Sequence, residues 1–133
     1  MNCCCRISCT ALSLGASIIL GIVAALLRIT GIITVTPAFL WTVFGIAIVY
    51  LAIAFYSSVR AACETARRCI CEKSGFLLTG ILGTILTSVI LLAVTFPATS
   101  IVGAVITGLL IFFFTLMITT VACIIRCIAC TCE

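Results

Sequence analysis

The sequence has no histidine and no aspartate, and its acids are three glutamates, Glu64, Glu72 and Glu133. Without an imidazole base or a carboxylate pair there is no Ser–His–acid set and no acid/base couple, and no glycine loop has phosphate-cradling spacing, so hydrolase chemistry is excluded and no enzyme activity is expected. Charge of either sign is scarce, at 8% of residues, against about 25% in soluble domains. The cations, too few and without interleaved aromatics, do not fit nucleic acid. Methionine is limited to Met1 and Met117, which leaves no thioether path of the kind a copper channel uses.

What remains is apolar. Hydrophobic residues make up 65% of the 133, and the mean hydropathy is +1.56, so lipid is the expected solvent. The charges Arg6, Arg28, Arg60, Glu64, Arg67, Arg68, Glu72, Lys73, Arg126 and Glu133 set off three long uncharged intervals, the last divided around Pro97, and the chain reads as four hydrophobic blocks. A hydrocarbon core of about 30 Å needs roughly 20 helical residues, and the blocks at about 7–28, 37–59, 75–96 and 100–125 meet that length. Pro37 suits the first turn of the second helix, and Pro97 with Ala98, Thr99 and Ser100 makes a tight connection into the fourth. Lipid offers no partner for free backbone groups, and period-two alternation is absent, so the runs are helices and not barrel strands. The first apolar run exceeds a signal-peptide core of about 7–15 residues, and no small-residue cleavage site follows it. The expected fold is all-α, a single integral membrane four-helix bundle over residues 1–133.

Four spans put both termini and the segment from Arg60 to Lys73 on one side. That side holds Arg6, Arg60, Arg67, Arg68, Lys73 and Arg126, and only Arg28 lies opposite. The positive-inside rule then places both termini in the cytoplasm, with the central basic loop against anionic lipid headgroups. Arg28 is expected to snorkel outward to the far headgroups. No ionisable residue falls inside a span, which argues against a coupled transporter.

The eleven cysteines are Cys3, Cys4, Cys5, Cys9, Cys63, Cys69, Cys71, Cys123, Cys127, Cys130 and Cys132. All lie in three short windows on the cation-rich side. A cysteine used as a small core hydrophobe would also appear between Thr10 and Ala62 or between Glu72 and Ala122, and none does. Cytosolic thiols stay reduced, so structural disulfides are not expected, and metal or redox work is. The ligand candidates are Cys3, Cys4, Cys5, Cys69, Cys71, Cys127, Cys130 and Cys132, an all-thiolate set suited to zinc, copper(I) or an iron–sulfur cluster. Cys127-x-x-Cys130 has the spacing common to zinc and redox sites, and the cations among the thiols favour the thiolate form. Cys9, Cys63 and Cys123, near helix ends, read as tolerated interfacial residues. On an extended fourth helix, Cys123, Cys127 and Cys130 share one face. The leading functional reading is a cytoplasmic thiol cluster that binds soft metal or senses redox state. The runner-up is an S-acylated structural or interaction protein, and the third a membrane thiol oxidoreductase.

A shift of 60 residues superposes Cys9 on Cys69, Gly15 on Gly75, Pro37 on Pro97 and Ala62-Cys63 on Ala122-Cys123, as in two duplicated helical hairpins related by a two-fold along the membrane normal. Close helix packing is expected at Ser17, Gly21 and Ala25, at Thr79, Gly83 and Thr87, and at Ala104 and Gly108. A homo-oligomer packed through the same residues is the alternative.

Overall fold

The computed structural model describes the backbone of residues 4–60, 64–97 and 100–131, and the side chains of residues 9–56, 74–97 and 100–126. It contains four helices: α1 (Cys4–Ile29), α2 (Pro37–Arg60), α3 (Glu64–Ala93) and α4 (Ile101–Thr131). No strand occurs among the described residues. The stretches Cys9–Ile29, Pro37–Tyr56, Ser74–Ala93 and Ile101–Arg126 are each long and apolar enough to cross a bilayer, so the protein is a multi-pass integral membrane protein.

Local chemistry sets where the helices stop. Beyond Ile29, Gly31 takes φ +73°, the left-handed conformation that costs glycine least. The Gly31 amide donates to the Arg28 carbonyl and the Ile32 amide to the Leu27 carbonyl, the two bonds of a Schellman cap. Thr36 caps α2, accepting from the Phe39 amide at 3.4 Å with Pro37 in the first turn, and Ser100 does the same for the Gly103 amide of α4 at 3.4 Å. At the other end three helices outrun the apolar blocks. The basic segment expected as a loop is largely helix, since α3 starts at Glu64, ten residues before its membrane stretch at Ser74. That is about 15 Å of helix at 1.5 Å per residue. Likewise α1 starts at Cys4 and α4 continues to Thr131. Hydropathy marks where lipid ends, and in α3 the residues before Ser74 include the good helix formers Glu64, Ala66, Arg67, Arg68, Glu72 and Lys73, which carry the helix beyond the apolar block.

Inside lipid the packing relies on small side chains and hydroxyls. α4 is central, with α1 on one side and α3 on the other, and α2 lies on α3. At the α1–α4 crossing, a Cβ on Gly108 would meet the Gly21 carbonyl oxygen at 2.9 Å and the Ala25 Cβ at 3.0 Å, so only glycine permits this approach. A Cβ on Gly83 would fall 2.5 Å from the Phe113 ring, and one on Gly80 3.1 Å from the Met117 amide nitrogen. Ser17, Gly21, Ala25, Gly83, Thr87, Ala104 and Gly108 thus pack as expected, but Thr79 is exposed and its neighbour Gly80 is buried instead. Buried hydroxyls donate back one turn, Ser17 to the Ser13 carbonyl, Thr84 to Gly80 and Thr87 to Gly83, each at 2.7 Å, which satisfies them where water is absent. The apolar core joins Leu40, Val43 and Ala47 of α2 to Leu77, Ile81 and Leu91 of α3 and Leu110 and Met117 of α4. α1 has no part in it. The α3–α4 hairpin is closed, whereas α1 and α2 are not closely packed on each other, so the packing does not follow the two-fold that the 60-residue match implies.

Candidate thiol centre

Antiparallel connection of the four spans brings the start of α1, the end of α2, the start of α3 and the end of α4 to one end of the molecule. Every cysteine-bearing helical segment is at this end. Cys4, Cys5 and Cys9 lie on α1, Cys69 and Cys71 in the first turns of α3, and Cys123, Cys127 and Cys130 in the last turns of α4. Cys3, Cys63 and Cys132 fall outside the described residues, and of the proposed ligands Cys4, Cys5, Cys69, Cys71, Cys127 and Cys130 only the backbone is described. Among the described residues no group of three or more metal-binding side chains assembles.

The thiols whose side chains are described are Cys9 and Cys123, and they form a disulfide with a Cα–Cα distance of 6.2 Å across 114 residues of sequence. This corrects two expectations. A disulfide is present where none was expected, and the two cysteines read as merely tolerated are the pair the helices bring together. The reason is register. Next to the bond, one turn deeper in the membrane, Ser13 of α1 meets Thr119 of α4 through their hydroxyls. Thr119 gives its own proton to the Thr115 carbonyl at 2.7 Å, so Ser13 is the donor between them. Steps of four residues along antiparallel helices keep facing positions facing, and the step from Ser13 and Thr119 leads to Cys9 and Cys123. A further step leads to Cys5 and Cys127.

The bond is half-buried and borders a small cleft between α1, α3 and α4. Thr10, Ser13, Thr120 and Cys123 line the cleft, with Phe76 of α3 closing its side. The cleft is small, with room for about one water molecule, and its exposed wall is mostly apolar.

At the far end the structure overturns the expectation for Arg28. Its side chain does not snorkel outward. It is buried, 8% exposed, and its Nη1 donates to the Thr107 hydroxyl of α4, which in turn donates to the Gly103 carbonyl at 2.8 Å. Gly103 makes the room, since a Cβ there would lie 3.2 Å from Arg28 Nη2. Sequence reasoning missed this because the residues that receive the guanidinium lie more than seventy positions away along the chain.

The fold and the site together define a multi-pass helical membrane protein with a paired-cysteine end. Compared with protein-family models, curated proteins and solved structures, the chain matches none.

Proposed function

We propose that this protein is a membrane-embedded thiol switch, in which the Cys9–Cys123 bond clasps α1 to α4 and opens or closes with the redox state around it. The observation that carries this reading is the disulfide itself, at the end of the molecule that also holds the other cysteines of α1, α3 and α4. The excess of cations on the same side favours a cytosolic location, where disulfides are usually transient, catalytic or redox-sensing and seldom structural. A clasp between these two helices has a mechanical consequence, because α1 packs closely on α4 alone. Opening it frees one end of the only helix that takes no part in the apolar core.

The chemistry is thiol–disulfide exchange with a low-molecular-weight thiol of the glutathione class. Its thiolate attacks one sulfur of the clasp, forming a mixed disulfide and releasing the other cysteine as a thiolate, which takes up a proton. A second small thiol attacks the mixed disulfide, freeing the remaining cysteine and forming the oxidised small-molecule dimer. Two electrons and two protons pass to Cys9 and Cys123, and two small thiols become one disulfide. In the reverse direction the second cysteine of the pair attacks the mixed disulfide on the first, closing the clasp and releasing the small thiol.

The test is differential alkylation in intact cells. Free thiols are blocked, the sample is reduced, and newly exposed cysteines are tagged and mapped by mass spectrometry. The expected result is that Cys9 and Cys123 are tagged together, more after a mild oxidant and less after a permeant reductant. If they are always free and anaerobically purified protein carries about one soft metal ion per chain, the cluster is a metal site. If the terminal cysteines carry hydroxylamine-sensitive acyl groups, it is an acylated anchor.

A further inference from the structure

We infer that Arg28 and the first turn of α4 form a binding site for a phosphate group at the membrane end opposite the thiols, and that the headgroup of an anionic phospholipid is its occupant. The inference starts from a charge with nothing to balance it. Arg28 is more than nine-tenths buried, yet the described glutamates, Glu64 and Glu72, lie in the first turns of α3 at the other end, and Glu133 falls outside the described residues. Helix dipoles do not make up the deficit. The C-termini of α1 and α3 contribute about half a negative charge each at this end, the N-termini of α2 and α4 about half a positive charge each, and these cancel. One full positive charge is left over.

The donors of that charge are also under-used. A guanidinium carries five N–H groups in a planar fork. Among the described residues only Thr107 receives one, through Nη1. Nη2 is held beside Gly103, the third residue of α4, at the position that a side chain there would crowd, so the unused edge of the fork and the positive end of α4 converge. The guanidinium is not fully shut off, since the one buried polar side-chain atom without a partner among the described residues is Ser88 Oγ on α3 and not an Arg28 nitrogen. A planar fork beside a helix N-terminus matches the geometry of phosphate oxygens.

Position argues for a lipid. Arg28 lies at the last turn of a stretch, Cys9–Ile29, that spans the hydrocarbon, and Ile101 begins the next stretch beside it, so the site stands at headgroup depth. Leu26 and Ile29, next to Arg28 along α1, and Ile101 and Val102, which precede Gly103 on α4, are exposed apolar residues, which suits acyl chains descending from a bound headgroup and does not suit a free ion.

The experiment measures thermal unfolding of the purified full chain in neutral detergent, with and without phosphatidylglycerol, phosphatidylcholine or inorganic phosphate, together with lipid retention by native mass spectrometry. Wild type is expected to gain stability with phosphatidylglycerol beyond that with phosphatidylcholine. Arg28→Gln should retain the anionic lipid about tenfold less, the scale of losing hydrogen bonds to a charged group. Arg28→Lys, with the charge but not the fork, should fall between. Thr107→Val leaves the charge and lets the side chain drift, so it should weaken retention while the protein folds. Equal gain in wild type and Arg28→Gln would assign the lipid to the cations at the thiol end and overturn the site. A response to inorganic phosphate equal to that of the lipid would keep the phosphate site and overturn the lipid as occupant. Wild type indifferent to all additions would overturn both.

Discussion

The two ends of the α1–α4 pair are fastened by opposite means. At the thiol end the fastening is covalent, through Cys9 and Cys123, amid five of the protein's seven cations on α1, α3 and α4. At the far end it is a hydrogen bond from one buried cation, Arg28, to Thr107. Between them the helices touch backbone to backbone at Gly21 and Gly108. Only the covalent fastening can be made and broken by electron transfer, so only that end can switch. In the proposed switch the glycine crossing is the fulcrum and the arginine end the fixed one. That is why a helix of 26 residues with so little burial of its own can stay attached after one fastening opens.

The largest expected effect comes from breaking the covalent end. Replacing Cys9 or Cys123 with serine should lower resistance to denaturation by about 2–4 kcal/mol. The chain-entropy argument behind that figure assumes a random-coil reference, and spans already inserted in lipid have less freedom to lose, which favours the lower half of the range. Unfolding in mixed micelles with and without reductant checks it: reduced wild type should match the serine variant, and a difference that persisted under reductant would break the comparison.

Gly108→Leu attacks the fulcrum. Its side chain would displace backbone atoms of α1 and not a flexible tip, at a cost of about 1–3 kcal/mol or more. The sharper readout is the clasp itself, because helices held apart at Gly108 should form the Cys9–Cys123 bond in lower yield on a non-reducing gel after cysteine tagging. Unchanged yield would show that the thiol ends find each other without the crossing.

A smaller effect is expected at the cap. Gly31→Ala puts a side chain at φ +73° and should destabilise by about 1 kcal/mol, without changing the clasp yield, since the change lies at the opposite end. Smallest, and opposite in sign, is Ser88→Ala. The Ser88 hydroxyl is fully buried and has no hydrogen-bond partner, so removing it should leave stability unchanged or raise it by up to about 1 kcal/mol. A clear loss would reveal a partner for Ser88 in the membrane.

Much of the architecture was legible because lipid imposes a simple code: the uncharged intervals from Arg6 to Arg28, from Arg28 to Arg60 and from Lys73 to Arg126 hold the spans, the last divided at Pro97, and Pro37 falls where α2 begins. The helical extensions were not legible, since Glu64 to Lys73 is polar and hydropathy is silent on whether a polar segment is helix or loop. Nor was the order of packing. The helices are apolar almost all round, and only the steric need for glycine at Gly21, Gly80, Gly83 and Gly108 separates protein-facing from lipid-facing sides. The gathering of thiols at one end could be read from their positions, but the pairing could not, because eleven cysteines allow many partners and the choice of Cys9 with Cys123 follows from a register visible only once α1 lies against α4.

The central claim is that the Cys9–Cys123 bond is reversible under cellular conditions, and a redox titration tests it most directly. Protein in bilayer nanodiscs is equilibrated anaerobically with glutathione buffers across the cytosolic range of about −220 to −320 mV, quenched in acid, and the oxidised fraction of this pair is measured by mass tagging. The account predicts a two-electron transition with its midpoint inside that range. A bond that stays closed well below −320 mV would be structural, and one that never closes anywhere in the range would leave α1 and α4 without a clasp; either result would contradict the account.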